Sequence, residues 1–357
     1  MKSKRRRRLL VVVAACLLVS GLMGLAWRPM SKPVHPLKVA TMEWPGYYSL
    51  MRAEVEGHLQ TIPATLIIRP DNASINEAFS RHDAEVITMV LSDAVLLAAD
   101  GVDLRIIAVL DYSDQSDVLL AQPEFTTVMD LRGQEIACDG VQTFSHVFVL
   151  DVLTRGGLPE SVVTFRDLPA MQVPNAVLTG RLAAGYTWGP LAAAAVARGC
   201  HILAKAGDDP GMITEVMVTH ADTLVHQRDQ LQVLMSTIWE SVDRSKTDEA
   251  GTIAAAASCL KKKPDEIDPL TGTVHLWNQA ESLACLRGEA QPSLPARIAH
   301  LVAQFRQRGQ VQPNFTAEHL IDTSLYQQGP LVSSPLVSSP LSLPSLRHTP
   351  PSQSHQP

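Results

Sequence analysis

The sequence has none of the short motifs that mark common catalytic sites: there is no GxSxG elbow, no GxGxxG, no GxxxxGK(S/T) and no HExxH. Their absence removes the usual support for a hydrolase, a dinucleotide or nucleotide enzyme, or a zinc protease. Cysteine is scarce. Apart from Cys16 near the N-terminus, only Cys138, Cys200, Cys259 and Cys285 are present, without a CxxC or a metal-like Cys/His spacing, so neither a metal nor another cofactor is expected. These four are buried thiols, or Cys259 and Cys285 pair across a helical segment; the sequence leaves both open. Basic residues are outnumbered 30 to 36, and six of them fall in an N-terminal segment without acids, which leaves the remainder at −12. Such a surface repels phosphate backbones, so nucleic acid is excluded as a partner. Aromatic residues make up only 5% of the chain, which makes the placing of its tryptophans informative.

What is present begins with "MKSKRRRR" followed by the apolar run Leu9 to Ala26. A basic stretch before an apolar one reads as an export signal, with Gly24 and Ala26 as small residues for cleavage. The run is also about long enough to anchor the chain uncleaved. Either way residues 1–26 place the body outside the cytoplasm, in the periplasm or its equivalent. With 46% hydrophobic residues the body can bury a large core. The other end differs: from 327 to 357 the proline-spaced repeat "PLVSSPLVSSPLSLPS" and a polar tail cannot build a core and read as a disordered extension.

Between them, short apolar runs alternate with helical patterns. "LKVATM", "ATLIIRP", "AEVITMV" and "LRIIAVLDYS" are strand-like, followed by "SDVLLAQP", "QEIACDG", "VVTFRDL", "RLAAGYTW", "HILAKAG" and "TEVMVTH". After Asp222 the spacing becomes helical in "RDQLQVLMSTIWESVDRS", "GTIAAAASCLKK", "TVHLWNQAESLACLRG" and "PARIAHLVAQFRQRG". The rhythm predicts an α/β protein of two lobes, with mixed, mostly parallel sheets flanked by helices.

In such sheets ligands lie beyond the carboxyl ends of strands, near the free N–H groups of helix N-termini. Four turns of that kind stand out: "EWPG" (43 to 46), "TMVLSD" (88 to 93), "DGVQTFSH" (139 to 146) and "TWGP" (187 to 190). In the third, Thr143 and Ser145 are candidate helix caps beside outward backbone donors, an arrangement suited to an anion or to an ordinary helix start. In the fourth, Gly189 and Pro190 start a helix well enough alone. Trp188 is surplus to that need. Trp44 repeats the pattern in the first turn, so the two indoles either wall a pocket or pack between sheet and helix. Asp208 and Asp209 in "KAGDDPGMI" read as a turn rather than a catalytic pair.

Three stretches, "VATMEWPGYYSLMRAEVEG", the long run from "VITMVLSDAVLLAADG" to "VFVLDVLTRGGL", and "GYTWGPLAAAAVARGCHILAKAGDDPGMITEVMV", together resemble the substrate-binding proteins of ABC importers of the nitrate/sulfonate/taurine and thiamine-precursor type. The likeness covers roughly residues 37 to 326 and lies in the order of motifs more than in any one of them. It implies the type II periplasmic-binding-protein fold: a discontinuous first lobe (36–120 and 215–326) and a second lobe (121–214), joined by crossings near "LDYSDQSDVLLA" and "ITEVMVTHAD". The ligand-cleft segments would fall on Trp44, Pro45, Gly46 and Tyr47, then Thr88, then Thr143, Ser145 and His146, then Trp188. The implied function is capture of a small organic anion or heteroaromatic nutrient by a monomer that docks on a membrane permease, without catalysis. Relatives often carry an acid after the tryptophan of "TWxP", where this chain has Gly189, and the "CCCFC" motif of the enzyme branch is missing. Two other classes share these lobes: a sensory component of a membrane signalling system, and an enzyme acting on a pyrimidine precursor.

Overall fold

The computed structural model describes residues 35–326; the export segment and the proline-rich tail inferred above lie outside the described residues. Among the described residues no helix is long and apolar enough to cross a membrane.

All ten strand-like runs form strands, in the order β1 (Leu37–Thr41), β2 (Ala64–Ile68), β3 (Val86–Val90), β4 (Leu104–Ser113), β5 (Asp117–Ala121), β6 (Glu135–Cys138), β7 (Thr164–Asp167), β8 (Ala184–Trp188), β9 (His201–Lys205) and β10 (Thr214–His220). A short eleventh, β11 (Val274–Leu276), was not expected. It lies in "TVHLWNQAESLACLRG", which helical spacing predicts to be one helix. The helix there covers only Gln279–Leu286, because Asn278 and Glu281 cap each other's backbone N–H groups and fix its start. Upstream of that cap, Val274 and Leu276 are buried with His275 exposed between them, the two-residue period of a strand at a sheet edge.

The strands form two sheets, of order β11-β4-β10-β3-β1-β2 and β7-β6-β8-β5-β9. β3, β5 and β10 are buried at every position, which is why β3 and β5 read as mainly apolar runs. Only four of the nine strand pairings are parallel, so the mostly parallel expectation is corrected. The excess of antiparallel pairs has one main cause: β5 and β10 enter their sheets from the other lobe and run against both neighbours.

The chain passes between the sheets twice, from β4 to β5 through 114–116 and from β9 to β10 through 206–213. The crossings lie against each other. The Gly207 amide donates to the Asp114 carbonyl at 2.8 Å, Ser113 donates to Ile213 at 2.9 Å, and a side chain at Gly207 would collide with Asp114.

The helices after Asp222 return to the first sheet and cover both of its faces. Leu231, Leu234 and Ile238 pack with Leu37 and Val39, whereas Ile298, Leu301 and Phe305 pack with Ala40 and Ile87. Those same faces separate two cysteines. Cys259 packs on the first and Cys285 on the second, so the disulfide considered above does not form, and Cys138, Cys200, Cys259 and Cys285 are all free thiols.

Candidate functional site

The two tryptophan turns have the same local geometry. Trp44 has φ −157° and ψ 135° and precedes the short turn Pro45–Tyr47; Trp188 has φ −145° and ψ 163° and precedes the helix Gly189–Val196. Each therefore leaves its strand still extended and projects an indole where the chain changes direction. Trp44 packs into the core of the first lobe and Trp188 onto that of the second. Both also line one cavity of about 690 Å³, so a solvent-accessible gap joins them.

The lining separates the residues singled out from sequence. Trp44, Tyr47, Thr143 and Trp188 contribute to it. Pro45, Gly46, Thr88, Ser145 and His146 do not, and each has a reason. Pro45 and Gly46 are buried inside the turn. The Thr88 hydroxyl lies within β3 and bonds that of Thr41 at 2.9 Å. Ser145 donates to the Asp139 carbonyl at 2.9 Å. His146 packs edge-on against Phe165 and accepts from the Gln142 amide, and burial pushes its imidazole down to about 4. The capping role expected of Thr143 and Ser145 is also corrected. The helix Phe144–Arg155 has no side-chain cap, and the Thr143 hydroxyl turns back to the carbonyls of Asp139 and Gly140.

What sequence reasoning missed is a set of carboxylates. At the buried end of the cavity, Glu215 accepts from the Tyr47 hydroxyl and Asp117 from the Tyr186 hydroxyl, with 4% and 1% of each acid exposed. Asp111 lies directly opposite Glu215 on the neighbouring strand and accepts from the Trp44 indole N–H at 3.0 Å. One oxygen of Asp111 and one of Asp117 have no partner. Burial pushes the Asp117 carboxyl up to about 6 and raises both Asp111 and Glu215 well above the usual carboxylate range; their mutual charge adds to the effect on Glu215.

The rim is acidic as well. Glu43, Asp71, Asp139 and Asp167 line the outer cavity, and Asp93 lies half-buried on its wall. Among the described lining residues there is no Lys, Arg or His. Acids also occupy the helix starts around the cavity, among them three of the turns singled out from sequence. Asp71 caps the helix Asn72–Ser80, Asp93 lies in the first turn of Leu91–Ala99, and Asp167 accepts from the Gly140 amide ahead of Phe144–Arg155. The Asp268 carboxylate stands against Gly189, within 2.9 Å of where a side chain would begin. Each positive helix end is thus complemented by the chain's own negative charge. The expectation of a small anionic ligand is not supported by this lining.

A signal for the buried acids did exist. Asp111 in "AVLDYS" and Glu215 in "ITEVMV" are lone acids inside apolar strand runs, an expensive placement unless something pairs with them.

No protein-family model matches the chain, and no curated protein matches it by sequence. Solved structures do. The alkanesulfonate-binding protein SsuA from Xanthomonas axonopodis pv. citri, bound to MOPS, superposes with a TM-score of 0.64 at 18% identity, covering 82% of this chain and 100% of its own. The zinc-bound ligand-binding component of an ABC-type import system from Staphylococcus aureus gives 0.65 at 11% identity, covering 83% and 99%. The desulfurization enzyme DSZB gives 0.61 at 12%, covering 82% and 97%. The chain therefore has the two-lobed periplasmic-binding-protein fold, a frame that carries both binding proteins and an enzyme.

Proposed function

We propose that the protein captures a small solute between its two lobes, outside the cytoplasm, and delivers it to the permease of an ABC importer. One observation carries the reading: a single cavity of about 690 Å³ is bounded by residues of both lobes, with an indole from each. Rotation about the paired crossings at 114–116 and 206–213 would bring Trp44 and Trp188 onto a solute from opposite sides. Solute bound in this way favours the closed arrangement through contacts that exist only there, and the closed arrangement is what a permease distinguishes.

Native mass spectrometry of freshly purified protein, followed by small-angle scattering with that solute removed and restored, tests the proposal. A bound small molecule whose return contracts the particle is the expected result. Binding with an unchanged scattering profile, or conversion of the solute to a product, would contradict it.

A further inference from the structure

The capture reading leaves the solute's chemistry open, and the lining narrows it. The polar hydrogens nearest the buried end are already engaged: the Tyr47 and Tyr186 hydroxyls and the Trp44 indole N–H all donate to carboxylates. The Thr143 hydroxyl donates to backbone carbonyls. A ligand rich in acceptors therefore finds few donors there. A ligand carrying N–H groups finds the opposite. The free oxygen of Asp117 belongs to a side chain only 1% exposed that nevertheless lines the cavity, and Glu215 lies beside it with 4% exposed. Buried acceptors without partners are costly in the empty site and are satisfied when a donor enters. The indole faces of Trp44 and Trp188 attract positive charge and pack against flat apolar bodies.

A metal ion fits less well. Among the described residues the one cluster of three groups close enough to hold an ion is His82, His220 and Asp222, at the opposite end of β10 from Glu215. The cavity carboxylates do not converge in that manner, so they suit a cation with extended N–H groups rather than a point charge.

We propose, resting on the capture reading, that the solute is an organic cation, a protonated amine or amidine on a flat apolar or heteroaromatic body. Its N–H groups donate to Asp117 and Glu215, and its body lies between Trp44 and Trp188.

Three probes of one ring and different charge test this: benzamidinium, benzamide and benzenesulfonate, titrated calorimetrically into the solute-free protein at neutral pH. Benzamidinium should bind at least about tenfold more tightly than benzamide, a difference set by the charged contact, while benzenesulfonate should not bind. Asp117→Asn and Glu215→Gln keep the side-chain shapes. The first should abolish the preference for benzamidinium over benzamide and the second reduce it, with thermal melting showing that the variants are folded. No benzamidinium binding at millimolar concentration, equal binding of benzamidinium and benzamide, or tighter binding of benzenesulfonate would overturn the cation assignment. The capture reading is judged separately, by whether the co-purified solute contracts the particle, so the two can fail independently.

Discussion

Replacing Gly46 with alanine is expected to destabilise the protein by about 3 kcal/mol, although it adds a single methyl group. That methyl would fall 1.7 Å from one oxygen of Asp111. Asp111 has no room to yield, being fully buried in β4 with its other oxygen tied to the Trp44 indole at 3.0 Å. The turn cannot lift away easily either, since Pro45, Gly46 and Tyr47 are all buried. Thermal melting should show a fall of several degrees. Asp111→Ala in the Gly46→Ala background should recover part of the loss, because the shortened side chain vacates the space, and the two changes would then be non-additive. A Gly46→Ala variant that melts like wild type would mean that the turn is not seated on Asp111.

Stability of the solute-free protein should fall relative to that of its Asp117→Asn variant between pH 5 and pH 8. Burial pushes the Asp117 carboxyl up to about 6. A carboxyl raised on folding favours the folded state fully below its unfolded value of about 4, and the contribution fades as pH rises through about 6. A two-unit shift corresponds to about 3 kcal/mol in total, roughly half of it lost above pH 5. Asp111 and Glu215, raised by the same burial, add in the same direction. Burial pushes the Asp93 carboxyl up to about 6 as well, and it adds in the same direction. The buried imidazoles of His146, held down to about 4, and His220 act in the opposite sense up to about pH 6.5, which is why the fall is read against Asp117→Asn, where both are kept. Carboxylates held low do not enter this window. Glu249 beside the Thr271 hydroxyl and Asp248 beside the Gly251 amide lose their contributions only at more acidic pH. Melting temperature against pH for both proteins is the measurement, and Asp117→Asn should gain on wild type from pH 5 upward and melt several degrees above it at pH 8. A difference between the two proteins that stays constant from pH 5 to pH 8 would contradict the buried-acid description. These acids weaken the empty protein, a common feature of sites kept ready for a partner.

Much of the frame is visible in the linear sequence because it depends on local pattern. β3 and β5 are continuous apolar runs, the helix starting at Gly189 follows from Gly-Pro, and the tryptophans declare themselves by standing where small residues usually stand. The site is less visible because its parts meet only through pairing of distant strands. Asp111 and Glu215 become neighbours when β10 inserts beside β4, and Asp117 reaches them because the first crossing folds back at Ser113. Helix starts misled for a related reason. A free N-terminus implies an anion site only when no acid of the chain reaches it, and Asp167 and Asp268 reach the turns at Gly140 and Gly189 from distant segments. Likewise Thr143, Ser145 and His146 look like ligand donors as a motif, but the fold directs the two hydroxyls back to Asp139 and buries the imidazole against Phe165.

The most direct test of capture between the lobes is a calorimetric titration of the Trp188→Ala protein with the co-purified solute, beside wild type. Trp188 is half-buried and faces the cavity, so its loss should leave melting nearly unchanged while affinity drops about 30-fold, the equivalent of roughly 2 kcal/mol for an aromatic anchor. Wild-type affinity in that variant would contradict the assignment of the second lobe's indole to the solute site.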